Sequence, residues 1–378
     1  MSDIRTSLGV ADKRQSAYPS RFEIMPTMEL MAGVLSQTSW IRYRGPKGHG
    51  NEYFQALSRF MGPYRDHRAI RITESALSKG FTYDAHCAFI CHFGPLPEMA
   101  RLYDYGGSLS FRNLDPAMLD DLHDSLVELA ELSRFTDFFE GWRDRLERMG
   151  ECFSNDVDVS TIIDLLTDFF GWEQQTRLIL APAMFPGGGY GYYTQAKDGS
   201  MVGGIVIGAR AGGTGKPLFL RGLFAKETVI HEIVHTYSDP CLMSHPPKAE
   251  TLQRLFRPVG RSMGRLSYGH DMIFIRESVT RAITCLALKC LVGPSALKAF
   301  LCIDAAFGFY LNGFLVEQIE YYATHRDLYP TFADFVPHLS EMLDTYAVPK
   351  DPVSRARKCF LISRAAVEAI KLWIKRQL

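Results

Sequence analysis

The strand-like text of this chain is gathered mainly in one short block, and that arrangement does most to set the fold class. Thr176 to Pro182 reads as a strand, a glycine-aromatic loop follows over Gly187–Tyr193, and Gly203 to Gly208 reads as a second strand. Helical text lies on both sides. It runs over Asn51–Gly80 with a stop near Gly62-Pro63, over Ser160–Phe170 closed by Gly171, over Leu223–Tyr237, and through most of the chain from Asp271 on. Pro116–Met149 places Leu119, Leu122, Leu126, Leu129 and Leu132 at helical spacing, with Asp115 as the N-cap. Helices, then strands, then helices predict an α+β fold with a mixed sheet, not a regular βαβ alternation. Two further expectations are a buried strand over Ala85–Phe93 and a long irregular stretch over Ser238–Gly269, which carries four prolines.

The 378 residues are 47% hydrophobic, enough for one large core or two ordinary ones. Lys+Arg and Asp+Glu both number 42, so no global field exists to hold nucleic acid or an anionic membrane. The longest charge-poor apolar run, Ala305–Val316, has twelve residues, whereas a bilayer span needs about 20. Met1–Gln15 lacks the apolar region of a secretory signal. The expectation is a soluble, cytoplasmic protein whose eight dispersed cysteines are mostly buried free thiols. Cys87 and Cys91, flanked by His86 and His92, suggest a metal knuckle, but no second Cys pair follows to complete it. The text divides into an irregular segment (1–50), an α+β region (51–150), a sheet with a motif-bearing helix (151–270) and a helical subdomain (271–378).

His231-Glu232-Ile233-Val234-His235 is HExxH. On a helix the two histidines stand one turn apart, so both imidazoles can share one tetrahedral cation. Glu232 lies beside them, where a carboxylate can take a proton from water at the metal. At about 100° per residue, Val229, Ile230, Ile233, Val234 and Tyr237 fall on the opposite, apolar arc.

A catalytic zinc needs a third protein ligand and an open position. Cys241 stands where metzincins place theirs, but Ser238 replaces the glycine of that longer motif. His245 and Glu250 fall in proline-rich text, and Asp271 begins a helix, where capping is its ordinary role. Glu277 is the best candidate. It interrupts an otherwise strongly apolar helix, and a buried carboxylate needs a cation or strong partners. Arg281, four residues on, offers a plain ion pair instead, and both readings hold together if Arg281 supports the ligand. Ala211–Pro217 is only superficially a P-loop: Arg210 and Pro217 stand at its required glycine and Ser/Thr positions.

With these residues in hand the chain resembles a gluzincin, the zincin branch whose third ligand is a glutamate on a following helix. More narrowly it resembles the bacterial domain of unknown function 4932 family. The likeness rests on His231–Pro240 and on Glu277–Ala282. It also takes in Tyr64–His67, Gly80–Ala85, Gly308–Tyr310 and Tyr329–Phe335, so that it spans roughly 50 to 345. The resemblance implies a zincin-like fold and Zn2+ as cofactor. It implies His231, His235 and Glu277 as metal ligands, and Glu232 as general base. Asp239 departs from the asparagine expected before Pro240, and Arg281 stands where thermolysin-like enzymes carry an aspartate.

The expected function is therefore a two-lobed zinc metallopeptidase acting on a peptide or protein substrate, with neither nucleic acid nor membrane as partner. In such enzymes a substrate chain adds to a sheet edge beside the metal, and Gly203–Gly208 is either that edge or an ordinary core strand. Tyr310, ahead of Tyr268 and His270, is the expected donor to the tetrahedral intermediate. The alternative is a catalytically inactive metal-binding or interaction protein on the same fold.

Overall fold

The computed structural model describes residues 21–40, 51–107, 110–111, 113–183, 188–196, 199–211, 217–266, 268–350, 352 and 361–367. The segment Met1–Gln15, most of the P-loop-like stretch and Cys359 lie outside the described residues.

The chain opens with β1 (Glu23–Ile24) and α1 (Pro26–Leu35). Helix α1 is apolar nearly all round and so becomes a core helix: Met28, Leu30, Met31 and Val34 are wholly buried. Around it lie α2 (Glu52–Met61), α3 (Arg68–Leu77) and α4 (Asp84–Ile90). Asn51 caps α2 by accepting from the Phe54 N–H, and its amide donates to the Pro182 carbonyl at the end of the first long strand. Helix α4 corrects the strand expected over Ala85–Phe93. The run is buried as expected, but a short helix enclosed on all sides is apolar throughout, and period cannot tell it from a core strand. Among the described residues His86 and His92 join no metal cluster. Their rings hydrogen-bond the Phe81 and Ala88 carbonyls.

The helical text from Pro116 onward is three helices, not one: α5 (Pro116–Ser133), α6 (Phe135–Glu140) and α7 (Arg143–Val157). Asp115 caps α5 as expected, accepting from the Ala117 N–H at 3.0 Å. Arg134 in the left-handed region ends α5. Helix α8 (Val159–Phe170) stops at Gly171, whose φ of +88° only glycine adopts without strain.

Strands β2 (Gln175–Ala181), β3 (Gly189–Gln195) and β4 (Met201–Gly208) complete a four-stranded mixed sheet with β1, in the order β1-β2-β4-β3. Strand β2 is parallel to β1 and β4, whereas β3 is antiparallel to β4. Of the two readings of Gly203–Gly208, the core strand is the one observed. Strand β4 is interior, as a continuous apolar run should be, and the alternating β3 takes the edge. The small residues of β4 serve a neighbouring strand: a Cβ on Gly204 would stand 2.2 Å from the Tyr192 ring of β3.

After the short pair β5 (Arg210–Ala211) and β6 (Pro217–Leu218) comes α9 (Gly222–Ser244), the HExxH helix, which continues through Pro240. The stretch expected to be irregular contains α10 (Ala249–Phe256) and α11 (Gly260–Gly264). Helix α12 (Asp271–Leu291) is surrounded by α10, α13 (Pro294–Phe307) and α14 (Asn312–Thr324), and α15 (Phe332–Thr345) closes the series with a Thr331–Asp334 capping box.

The fold is α+β, and it divides into two compact units. Among the described residues one holds 21–160 and 174–233, with the sheet packed on the core around α1. The other holds 161–173 and the chain from 234 on. In the second unit Tyr237 stacks on Phe170 at 4.6 Å, and the Tyr322 hydroxyl donates to the Phe169 carbonyl. The division falls within α9, between Ile233 and Val234, and that helix is continuous. Among the described residues no helix is long and apolar enough to cross a membrane.

Candidate metal centre

Helix α9 is anchored as its apolar arc predicts: Val229, Ile230, Ile233, Val234 and Tyr237 are fully buried. The histidines and Glu232 occupy the other side, where His231 and Glu232 keep 8% and 9% exposure. Such burial asks for partners, since an exposed polar face would need none.

Helix α12 brings Glu277 to this face. His231, His235 and Glu277 each offer one ligand atom, and the three atoms lie within 4.8 Å of one another. The His235 Nε2 to Glu277 Oε1 distance is 3.2 Å. With metal–ligand bonds of about 2.0–2.1 Å, the edge of a zinc tetrahedron is about 3.3–3.4 Å, so the pair already stands at ligand spacing. Two imidazoles and one carboxylate are also the donor chemistry of a catalytic zinc site, and the residues fit the ion.

Behind the candidate ligands is a chain of alternating charge. His235 Nδ1 faces both Asp239 oxygens at 3.2 Å and the Thr280 hydroxyl at 3.3 Å. Asp239 in turn receives the Arg276 guanidinium. Burial works against a charged His235, but Asp239 and Glu277 outweigh it and hold its pKa well above the usual imidazole range. Burial likewise opposes ionised Asp239, and His235 and Arg276 overcome it, so its pKa lies below the ordinary value. Beside Glu277, Arg281 Nε stands 3.5 Å from its Oε2 and Nη1 donates to Asp304 at 2.9 Å. Asn312 then donates to Asp304 at 3.1 Å. His235 and Glu277 thus each have their own oriented support. The Glu277–Arg281 ion pair and the Glu277–His235 proximity exist together.

Glu232 meets the sheet instead. A Cβ on Gly189, at the start of edge strand β3, would lie 2.6 Å from Glu232 Cγ and 2.8 Å from its Oε1. Only a residue without a side chain lets the strand pass so close to the carboxylate.

The remaining sequence candidates go elsewhere. Buried Cys241 donates its thiol to the Tyr237 carbonyl, and Glu250 and His245 are exposed. Asp271 accepts from the Met272 N–H at the start of α12. The Tyr310 hydroxyl donates to the Leu255 carbonyl at 2.5 Å, and His270 is an exposed cap. Tyr268 has its hydroxyl 3.3 Å from Arg281 Nη2, next to the ligand support. The roles of Arg276, Thr280 and Asp304 were not anticipated. One signal was available: Asp239 is four residues from His235 on one helix, which puts the two side chains on one face.

No curated protein and no solved structure matches the chain. A family model described as domain of unknown function 4932 matches residues 107–342, which takes in His231, Glu232, His235 and Glu277. Tyr64–His67 and Gly80–Ala85 lie outside that match. Since 236 of the 378 residues fall within it, the chain belongs to the domain of unknown function 4932 family.

Proposed function

We propose that this protein is a zinc-dependent metallopeptidase of the gluzincin type, with His231, His235 and Glu277 as ligands and Glu232 as general base. The observation that carries the reading is the convergence of the three ligand atoms within 4.8 Å on two adjoining helices. Bound zinc supplies Lewis acidity, which polarises a scissile carbonyl and acidifies water.

The chain's own residues supply the rest. Glu232 takes a proton from water and returns it to the leaving amine. Asp239 and Arg281 keep His235 and Glu277 in their orientations. Among the described residues β3 stands at the edge of the sheet, where an extended peptide can add as a further strand, beginning beside Glu232 at Gly189. Of the three donors considered for the tetrahedral intermediate, Tyr268 is the better placed, because the Tyr310 hydroxyl already serves Leu255.

The test is elemental mass spectrometry on untagged, chelator-free protein, followed by a peptide-library assay. About one zinc per chain is expected. Glu277→Ala should lose the metal, while Glu232→Gln should keep it and lose turnover. A zinc-loaded, fully active Gln variant would sink the mechanism. Stoichiometric zinc with no cleavage of any peptide would favour the inactive metal-binding alternative.

A further inference from the structure

A second feature lies in the sheet-bearing unit and has no part in the metal chemistry. A cleft of 380 Å³ opens between one face of α7 and the segment Phe219–Arg221 that leads into α9. Helix α7 presents Arg145, Arg148, Met149, Cys152 and Asp156 to it, at the three- and four-residue spacing that puts side chains in one row. Phe153 and Phe219, with ring centroids 5.4 Å apart, form an apolar wall.

The charge of this cleft is one-sided in a chain whose formal net charge is zero. Three guanidiniums line it against one carboxylate, and that carboxylate is engaged: Asp156 Oδ2 accepts from the Gly222 N–H at 2.6 Å. Arg145 is anchored by Glu52 and lies over the Trp142 ring at 5.4 Å. Among the described residues Arg148 and Arg221 have no carboxylate partner, and both are exposed at the cleft. Guanidinium groups bind oxyanions through paired, charge-assisted N–H donors. An apolar wall beside such donors suits a ligand with an oxyanion at one end and an apolar body at the other, and the volume lies within the usual range for small-molecule sites.

We propose that this cleft is a binding site for a small amphipathic oxyanion, a phosphate or carboxylate joined to an apolar ring or chain, gripped by Arg148 and Arg221. The site stands independently of the metallopeptidase reading, and its test needs no turnover. The exposed Cys152 thiol in the cleft is a built-in reporter.

The experiment follows alkylation of Cys152 by N-ethylmaleimide in the full chain, peptide by peptide by mass spectrometry, with half-buried Cys290 as internal control. Phenyl phosphate, benzoate, inorganic phosphate and phenol are the probes, all at matched ionic strength. Phenyl phosphate or benzoate should slow Cys152 alkylation saturably and leave Cys290 unchanged, and the stronger of the two identifies the headgroup. Inorganic phosphate or phenol alone should protect more weakly. In Arg148→Ala/Arg221→Ala the protecting concentration should rise at least about tenfold, because charge-assisted hydrogen bonds are lost. Arg148→Glu, a single change on an exposed helix face, should do the same, and circular dichroism checks that each variant is folded. Absence of protection, equal protection in folded variants, or protection by phenol as good as by phenyl phosphate would each overturn the site.

Discussion

Gly189 and Glu232 share a space that admits only one side chain: a Cβ on the glycine would come within 2.6 Å of the Glu232 Cγ. The edge strand and the proposed base are therefore fitted to each other. Gly189→Ala must displace either the strand or the carboxylate. Turnover should fall by about 10²-fold for a displacement on the order of 1 Å, with zinc content unchanged. Steady-state kinetics and elemental analysis of the same preparation check this. An Ala variant with normal kcat/KM would show that Glu232 tolerates the shift.

Asp239 links His235 to Arg276, so its removal acts on a proposed ligand without being one itself. Asp239→Asn should lower zinc affinity about 10–100-fold in a chelator competition. The same substitution leaves the Arg276 guanidinium without its carboxylate, and a lower melting temperature should accompany the weaker binding. Unchanged affinity would assign Asp239 to stability alone.

Two tyrosines should separate cleanly. Tyr310→Phe removes a buried hydrogen bond to the Leu255 carbonyl and should cost about 1 kcal/mol of stability with kcat preserved. Tyr268→Phe should spare stability and lower kcat about 10²-fold, the cost of removing one oxyanion donor. Denaturant melts and peptide kinetics on both variants decide, and the reverse pattern would return the donor role to Tyr310.

Glu29 is wholly buried in α1, where desolvation raises its pKa to about 8 against the opposing effects of the Ala183 N–H and Tyr53. The folded chain holds this proton while the unfolded chain, with a value near 4.5, has released it. Over that window the unfolded state binds fewer protons, so stability falls as pH rises, by at most about 1.4 kcal/mol per pH unit, and levels off above the folded value. Glu29→Gln should flatten this slope. Urea midpoints from about pH 5 to pH 8 measure it, and parallel curves for the two proteins would place the slope elsewhere.

The polar face of α9 that carries the candidate ligands was legible because a helix converts spacing into direction. His231 and His235 are one turn apart, and Val229, Ile233 and Tyr237 mark the buried side without any knowledge of their neighbours. Glu277 was legible for a different reason, as a carboxylate in text too apolar to solvate it. The errors lie where period carries no information. A seven-residue helix enclosed on all sides, α4, is as uniformly apolar as a core strand. The glycines of β4 left a substrate edge and a core strand equally open, and the Tyr192 ring takes the space they leave. Arg276, Thr280 and Asp304 reach the site through tertiary contacts, and nothing local distinguishes them from surface or core residues.

The chain direction of β3 orients the proposed site for a peptide that pairs with it in antiparallel fashion. Strand β3 starts at Gly189, against Glu232, and runs away to Gln195. A peptide pairing with it in antiparallel fashion enters at the Gln195 end and reaches Glu232 with its carboxyl-terminal side leading. On the proposed reading, the residues before the scissile bond are those ordered along β3, with every second side chain turned to the same face. If the proposed peptidase reading holds, sequence preference in cleavage should concentrate on the amino-terminal side of the cut, the part that pairs with β3, and fade beyond it.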